Sequence, residues 1–297
     1  MLNTHSWNRG GLVTLPAEQS RAGNHVLDDQ GKEVPAQRLA TGELVFLASE
    51  VPAFGSRLYR VAAGKQRGEA GSGCKKLVRE VRILRGQSWI ELVNTLDKIS
   101  TREKEGIHFG FAFNVPGATT RMDIPWGSMM PESDQLPCGN RNWLAFQRWV
   151  DMSNDNYGVT WTSIEAPLIE FGDLTANIIG PGKNWLNSLP DTQTLFSWAL
   201  NNHWHTNFPL EQGGLITFRY QILPHGPYNP GTANRFGLEQ NRPLIAVPAI
   251  NNPVEKPLVA VENAHIAVST FKQSEDGKAV ILRLRSNSEQ LEKVKLV

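Results

Sequence analysis

Hydrophobic and polar residues alternate with a period of two along much of this chain. Phe109, Phe111, Phe113 and Val115 alternate with His108, Gly110, Ala112 and Asn114. Ile216, Phe218, Tyr220 and Ile222 alternate with Thr217, Arg219 and Gln221. Residues 79–83 repeat the pattern less strictly, and 89–96 and 279–285 are apolar enough for further strands. Successive side chains of a strand point to opposite faces, so this period predicts sheets with one buried and one wet face. Short strands between Gly, Pro, Asn and Asp turns predict an all-β chain of antiparallel β-sandwiches. Helical periodicity is scarce: the best window, 184–202, contains Pro190 and is ambiguous between helix and strand.

Two stretches interrupt the pattern. Residues 62–73 hold no apolar side chain larger than Ala and read as a Gly-rich connection. Residues 224–257 are rich in Pro, Asn and Gly and predict a long irregular excursion. The expected organisation is therefore a small β-sandwich segment over 1–62 and a connection over 63–73. A large sandwich over 74–250 follows, and 251–297 supplies strands that complete the small one.

Composition narrows the class. The chain has 297 residues, of which 40% are apolar, enough for a sizeable core and too many for a disordered polymer. The net charge of +1 argues against a nucleic-acid partner. No apolar run of membrane-spanning length occurs, so no membrane partner is expected. Residues 1–7 carry no basic segment followed by an apolar core, and the expected location is cytoplasmic. Cys74 and Cys138 form neither a C-x-x-C pair nor a disulfide framework. Seven of the nine Trp residues (Trp126, Trp143, Trp149, Trp161, Trp185, Trp198, Trp204) fall between 126 and 204. They build either an aromatic core or a surface on which the C–H face of a sugar can lie.

The sharpest chemical cluster is Asn201-Asn202-His203-Trp204-His205-Thr206-Asn207. On a strand, Asn201, His203, His205 and Asn207 share one face and Trp204 takes the other. The two imidazoles could hydrogen-bond sugar hydroxyls, or ligate zinc with a third donor from elsewhere. The plainer account is two structural histidines. A second candidate is Trp149 with Asp151, before a turn at Asp155-Asn156-Tyr157-Gly158 in which Gly158 is expected at positive φ. Acidic residues here could form a glycosidase pair, or be solvated turn carboxylates. No Gly-x-Ser-x-Gly elbow, phosphate loop or His-Glu-x-x-His helix occurs.

Longer motifs carry a resemblance. The runs Asn94–Lys98, Glu105–Phe113, Met122–Gly127, Pro131–Pro137, Gln147–Asp151 and Tyr157–Thr160 succeed one another in order. They are followed by Phe196–Asn207, Phe218–Tyr220 and Val268–Gly277. Together with Asn3–Trp7 and Val51–Gly55, they resemble the C-terminal β-sandwich region of glycoside hydrolase family 38, the α-mannosidases. The resemblance implies a large galactose-mutarotase-like supersandwich plus a small sandwich. It also implies α-mannosides or mannose-containing glycans as partners. In that family a separate N-terminal barrel carries the nucleophile and a His-x-Asp zinc pair. None of the seven histidines here is followed by x-Asp, so no catalytic or metal residue is carried over and no cofactor is expected in this chain. The expected role is non-catalytic: supporting a catalytic barrel subunit and lining the carbohydrate cleft. The candidate carbohydrate contacts are Asn201, Asn202, His203, Trp204, His205, Asn207, Trp149 and Asp151. The alternative is a stand-alone carbohydrate-binding module. The family normally has more sandwich strands where the short connection lies, and its members run on upstream of Met1. The expectation is thus a fragment or one half of a split enzyme.

Overall fold

The computed structural model describes residues 1–34, 36–38, 42–62, 77–100, 102, 104, 106–175, 185–202, 209, 211–248 and 257–297. Among them are nineteen strands and one helix, and every strand pairing is antiparallel. The all-β expectation holds. The chain divides into two compact units, Met1–Gly71 with Pro230–Arg235 and Arg242–Val297, and Ser72–Asn229 with Phe236–Asn241.

The first unit contains β1 (Arg9–Leu15), β2 (His25–Leu27), β3 (Glu33–Val34), β4 (Ala36–Arg38), β5 (Leu44–Val51) and β6 (Arg60–Ala62). They form two three-stranded sheets, β1-β5-β4 and β3-β2-β6. Val13, Leu15, Val26, Val34, Leu44, Phe46, Ala48, Val51 and Leu244 make its core. The terminal hairpin of the chain, β18 (Ile266–Gln273) and β19 (Val280–Ser286), belongs to the same unit. His5 is buried here, and burial together with nearby Arg9 pushes its pKa down to about 3.

The second unit is a sandwich. Its strands are β7 (Leu77–Ile83), β8 (Ile90–Lys98), β9 (Gly106–Ala112), β10 (Thr119–Ile124), β11 (Gly127–Met129), β12 (Leu144–Ala145), β13 (Val150–Ser153), β14 (Gly158–Ser163), β15 (Leu168–Phe171), β16 (Thr194–Asn201) and β17 (Gly214–His225). One sheet has seven strands in the order β11-β10-β13-β14-β17-β8-β7, the other four in the order β12-β15-β16-β9. The alternating residues read from the sequence supply the layer between them. Phe109 and Phe111 of β9 meet Trp161 of β14 and Phe218 and Tyr220 of β17. Trp161 is fully buried, with ring centroids of Phe111 and Phe146 each 5.3 Å away and Tyr220 at 5.6 Å. Aromatic rings of this size dominate core energetics because each removes a large apolar area from water. Tyr220 Oη donates to Ser197 Oγ at 3.0 Å, a buried link between the two sheets.

Three local expectations change. The ambiguous window 184–202 contains strand β16 rather than a helix, because its Leu195 side chain joins the inter-sheet core. The excursion 224–257 begins with the end of β17 and contains helix α1 (Pro230–Asn241). Pro230 opens that helix at a position where a missing N–H costs nothing. The helix lacks a clear apolar stripe and carries Gly237, which hides it from pattern reading. The glycine is needed: a Cβ there would lie 2.6 Å from Trp149 Cδ1. Gly158 is not at positive φ. It is a close-approach glycine, since a Cβ would fall 2.3 Å from Ser153 Cβ and 2.8 Å from His225 Cε1. The turn itself is built by Asn154, whose Oδ1 accepts the N–H groups of Asn156 and Tyr157. No helix among the described residues is long and apolar enough to cross a membrane.

Candidate functional site

Strand alternation decides where the sequence candidates point. On β13, Val150 and Met152 enter the inter-sheet core, so Trp149 and Asp151 face the other way. Trp149 is fully buried, near Tyr228 and against Gly237. Asp151 is also fully buried. Its Oδ1 accepts from Ser153 Oγ at 2.6 Å, and its Oδ2 accepts from Thr160 Oγ1 at 2.7 Å and pairs with His225 Nε2 at 2.8 Å. Burial lowers the His225 pKa, but the Asp151 hydrogen bond and charge, with the Gly226 and Pro227 carbonyls, outweigh it and raise the pKa overall. His225 Nδ1 lies 2.7 Å from the Gly226 carbonyl, so both ring nitrogens have acceptors, as an imidazolium requires.

A second buried pair lies on the four-stranded sheet. His108 Nε2 is 2.7 Å from Glu170 Oε1, and Thr175 N–H donates to Glu170 Oε2 at 2.6 Å. The His108 ring stacks on Trp198, and Trp143 and the half-exposed Trp185 extend that aromatic group.

Asn201 ends β16 on this four-stranded sheet and is exposed, while Asn202 is buried. With Lys98, Leu200 and Gln212 they line a pocket of about 20 Å³, space for roughly one water molecule and not for a sugar ring. His203, Trp204, His205 and Asn207 lie outside the described residues. The structure therefore brings Asn201 and Asn202 together. It keeps them apart from Trp149 and Asp151, which belong to the other sheet and point away from the core.

A larger opening exists in the second unit. A cleft of about 230 Å³ is bounded by the start of β10, the segment Met130–Ser133 and the segment Leu189–Thr192. Phe171 and Leu189 give it an apolar lining, while Thr119, Thr120, Ser133, Glu132 and Asp191 supply polar groups. Glu132 holds its geometry. Its N–H donates to Gln135 Oε1, and its Oε2 accepts from Arg141 Nε at 2.9 Å and from Leu189 N–H at 2.7 Å. One carboxylate thus ties two walls of the cleft together. The Leu189 N–H and the Arg141 guanidinium hold this carboxyl below its ordinary pKa, so it stays anionic. Glu132 also sits at φ 76°, a left-handed conformation uncommon outside glycine. Hydroxyls and carboxylates beside apolar walls suit a neutral polyol ring better than an anion. The sequence reading missed these residues. Pro131–Asp134 lay within a run that carries the resemblance, and Leu189-Pro-Asp-Thr192 read only as a turn, with nothing to say that they meet.

The resemblance places its zinc in the family's barrel and not in this chain, and His203 and His205 lie outside the described residues. Among the described residues no three His, Cys, Asp or Glu side chains are grouped to hold an ion. Asp151 and Glu170, the buried carboxylates paired with histidines, have both oxygens engaged by protein partners.

No protein-family model matches this chain, and no curated protein matches it. Among solved structures, an α-mannosidase from Enterococcus faecalis V583 matches with a TM-score of 0.61 at 10% identity. A glycosyl hydrolase family 38 protein from Enterococcus faecalis matches with a TM-score of 0.64 at 10% identity. Both matches cover 100% of this chain, and they cover 51% and 53% of those chains. The chain thus spans about half the length of the solved structures it matches. At this identity the likeness establishes the fold: over its whole length, this chain folds like a part of a family 38 α-mannosidase.

Proposed function

We propose that this chain is the non-catalytic β-sandwich part of an α-mannosidase, which supports a catalytic barrel and lines the carbohydrate cleft. One observation carries the reading: all of this chain, and only about half of each α-mannosidase chain, enters the structural match. The nucleophile and zinc then belong to the other half, consistent with the absence of a His-x-Asp pair in the sequence. What this chain contributes is binding. Glu132 and Asp191 can accept hydroxyl protons of a mannose unit, and Thr119, Thr120 and Ser133 can either donate or accept. Met130, Pro131 and Pro190 offer apolar surface to its C–H face.

The location of the cleft favours a second reading, a stand-alone carbohydrate-binding module. It lies wholly within the second unit and needs no residue from another chain to form.

The test is made on the purified full chain. It should release no p-nitrophenol from p-nitrophenyl α-mannoside. Release that a single Asp or Glu substitution abolishes would overturn the non-catalytic reading. A thermal melt with and without methyl α-mannoside separates the two readings, since a ligand preferring the native state raises the melting temperature. A shift that Asp191→Asn removes supports the self-sufficient module; no shift supports the part that needs its barrel.

A further inference from the structure

Strand β7 is the last strand of the seven-stranded sheet, and among the described residues nothing pairs with its outer edge. Its sequence is Leu77-Val-Arg-Glu-Val-Arg-Ile83. Val81 and Ile83 pair with Leu92 and Ile90 of β8, and Leu92 packs against the inter-sheet core. Directly opposed residues share a face, so Val81 and Ile83 lie on the core-side face. They are nevertheless 65% and 73% exposed. Two β-branched side chains thus stand in water on the face of the sheet that is elsewhere covered. An edge strand with exposed apolar residues is a template for pairing with another strand.

We propose that two copies of this chain associate edge to edge through β7, antiparallel, about a two-fold axis at Val81. Among axes through a residue of β7, only the one at Val81 opposes a carboxylate to a guanidinium of the same strand. A two-fold perpendicular to the sheet passes through one residue, which then opposes its own copy. An axis at Arg79 or Arg82 sets guanidinium against guanidinium, and one at Glu80 sets carboxylate against carboxylate. Like charges directly opposed are destabilising. An axis at Val81 opposes valine to valine and places each Glu80 opposite Arg82 of the other copy. On the core-side face, the two Val81 side chains then meet at the axis, and each Ile83 lies next to them, opposite the stem of Arg79 of the other copy. On the other face, the existing fork of Arg82 onto Glu80 at 2.9 Å and Glu91 at 3.1 Å becomes part of a six-membered charge network. This surface is separate from the cleft and does not depend on the proposed carbohydrate role.

The experiment uses the full chain. Light scattering behind size exclusion should show the mass rising with concentration from 33.0 kDa toward twice that value. In a Cys74→Ser/Cys138→Ser background, Val81→Cys should cross-link spontaneously. Opposed Cα atoms in an antiparallel pair are about 4.5–5.5 Å apart, within disulfide reach. Arg79→Cys, which faces Ile83 of the other copy in this register, should cross-link several-fold less. Val81→Lys should be monomeric with an unchanged melting temperature, because the site is exposed in the single chain. A mass of 33.0 kDa at every concentration overturns the proposal and makes the charges on β7 guards against pairing. A dimer that survives Val81→Lys, or that cross-links better through Arg79→Cys, also overturns it.

Discussion

Asp151 and Glu170 differ from Glu132 and Asp191 in one decisive respect. The first two are buried, and protein donors occupy both oxygens of each. The second two border an open cleft: Glu132 receives its Arg141 and Leu189 bonds on a single oxygen, and Asp191 is exposed. A buried carboxylate with both oxygens bonded to the protein holds strands in place. A carboxylate facing a cleft can exchange water for a ligand hydroxyl. Proximity to a tryptophan or a histidine in sequence does not distinguish the two cases, because burial and partners come from other strands.

The comparison can be broken most forcefully at Asp151. Asp151→Ala leaves His225, Thr160 and Ser153 without their shared acceptor and should cost about 3–5 kcal/mol, read from the urea midpoint. A loss under about 1 kcal/mol would show that the network is dispensable and return Asp151 to the candidates for ligand contact.

The acid limb follows from His5, whose folded pKa of about 3 lies below its unfolded value of 6.5. Its contribution is complete above pH 6.5 and drains as pH falls toward 3, a change on the order of 5 kcal/mol for a shift of this size. His225 has the opposite sign. Its raised pKa gives a contribution that is complete below pH 6.5 and is lost as pH rises through the folded value. His5→Gln should flatten the acid limb and His225→Gln the alkaline one, in melts recorded across pH. Equal slopes in wild type and either variant would contradict the assignment.

A smaller effect is expected at Gly237. An added methyl group meets Trp149, and Gly237→Ala should lose about 1–3 kcal/mol as the helix moves off the sheet. An unchanged denaturation midpoint would mean that the contact yields freely.

The cleft carboxylates sharpen the contrast from the other side. If the chain is a self-sufficient module, Asp191→Asn should leave the melting temperature of the free chain where it is and weaken methyl α-mannoside binding about tenfold by calorimetry, as for a lost charge-assisted hydrogen bond. Glu132→Gln should weaken binding too, and should also speed hydrogen exchange at the Leu189 amide that the carboxylate holds. If neither substitution changes binding, the cleft is not the sugar site.

The sequence by itself determined the strands and the antiparallel class. The alternation of Phe109, Phe111, Phe218 and Tyr220 is imposed by the pleat, and a residue-by-residue period survives without knowledge of partners. It also carried the resemblance that the shared fold bears out. What only the tertiary structure decided was which residues meet. Strands β13, β14 and β17 had to align before Asp151, Thr160 and His225 could be seen as one network. Two turns far apart in the chain had to close before Glu132 could join them and leave a cleft. Helix α1 was concealed for the same reason: Gly237 is unfavourable in an isolated helix and is required only because Trp149 lies against it. Period is a local property of the chain. Burial, pairing and open space are properties of contacts between distant segments, and those form only when the sheets assemble.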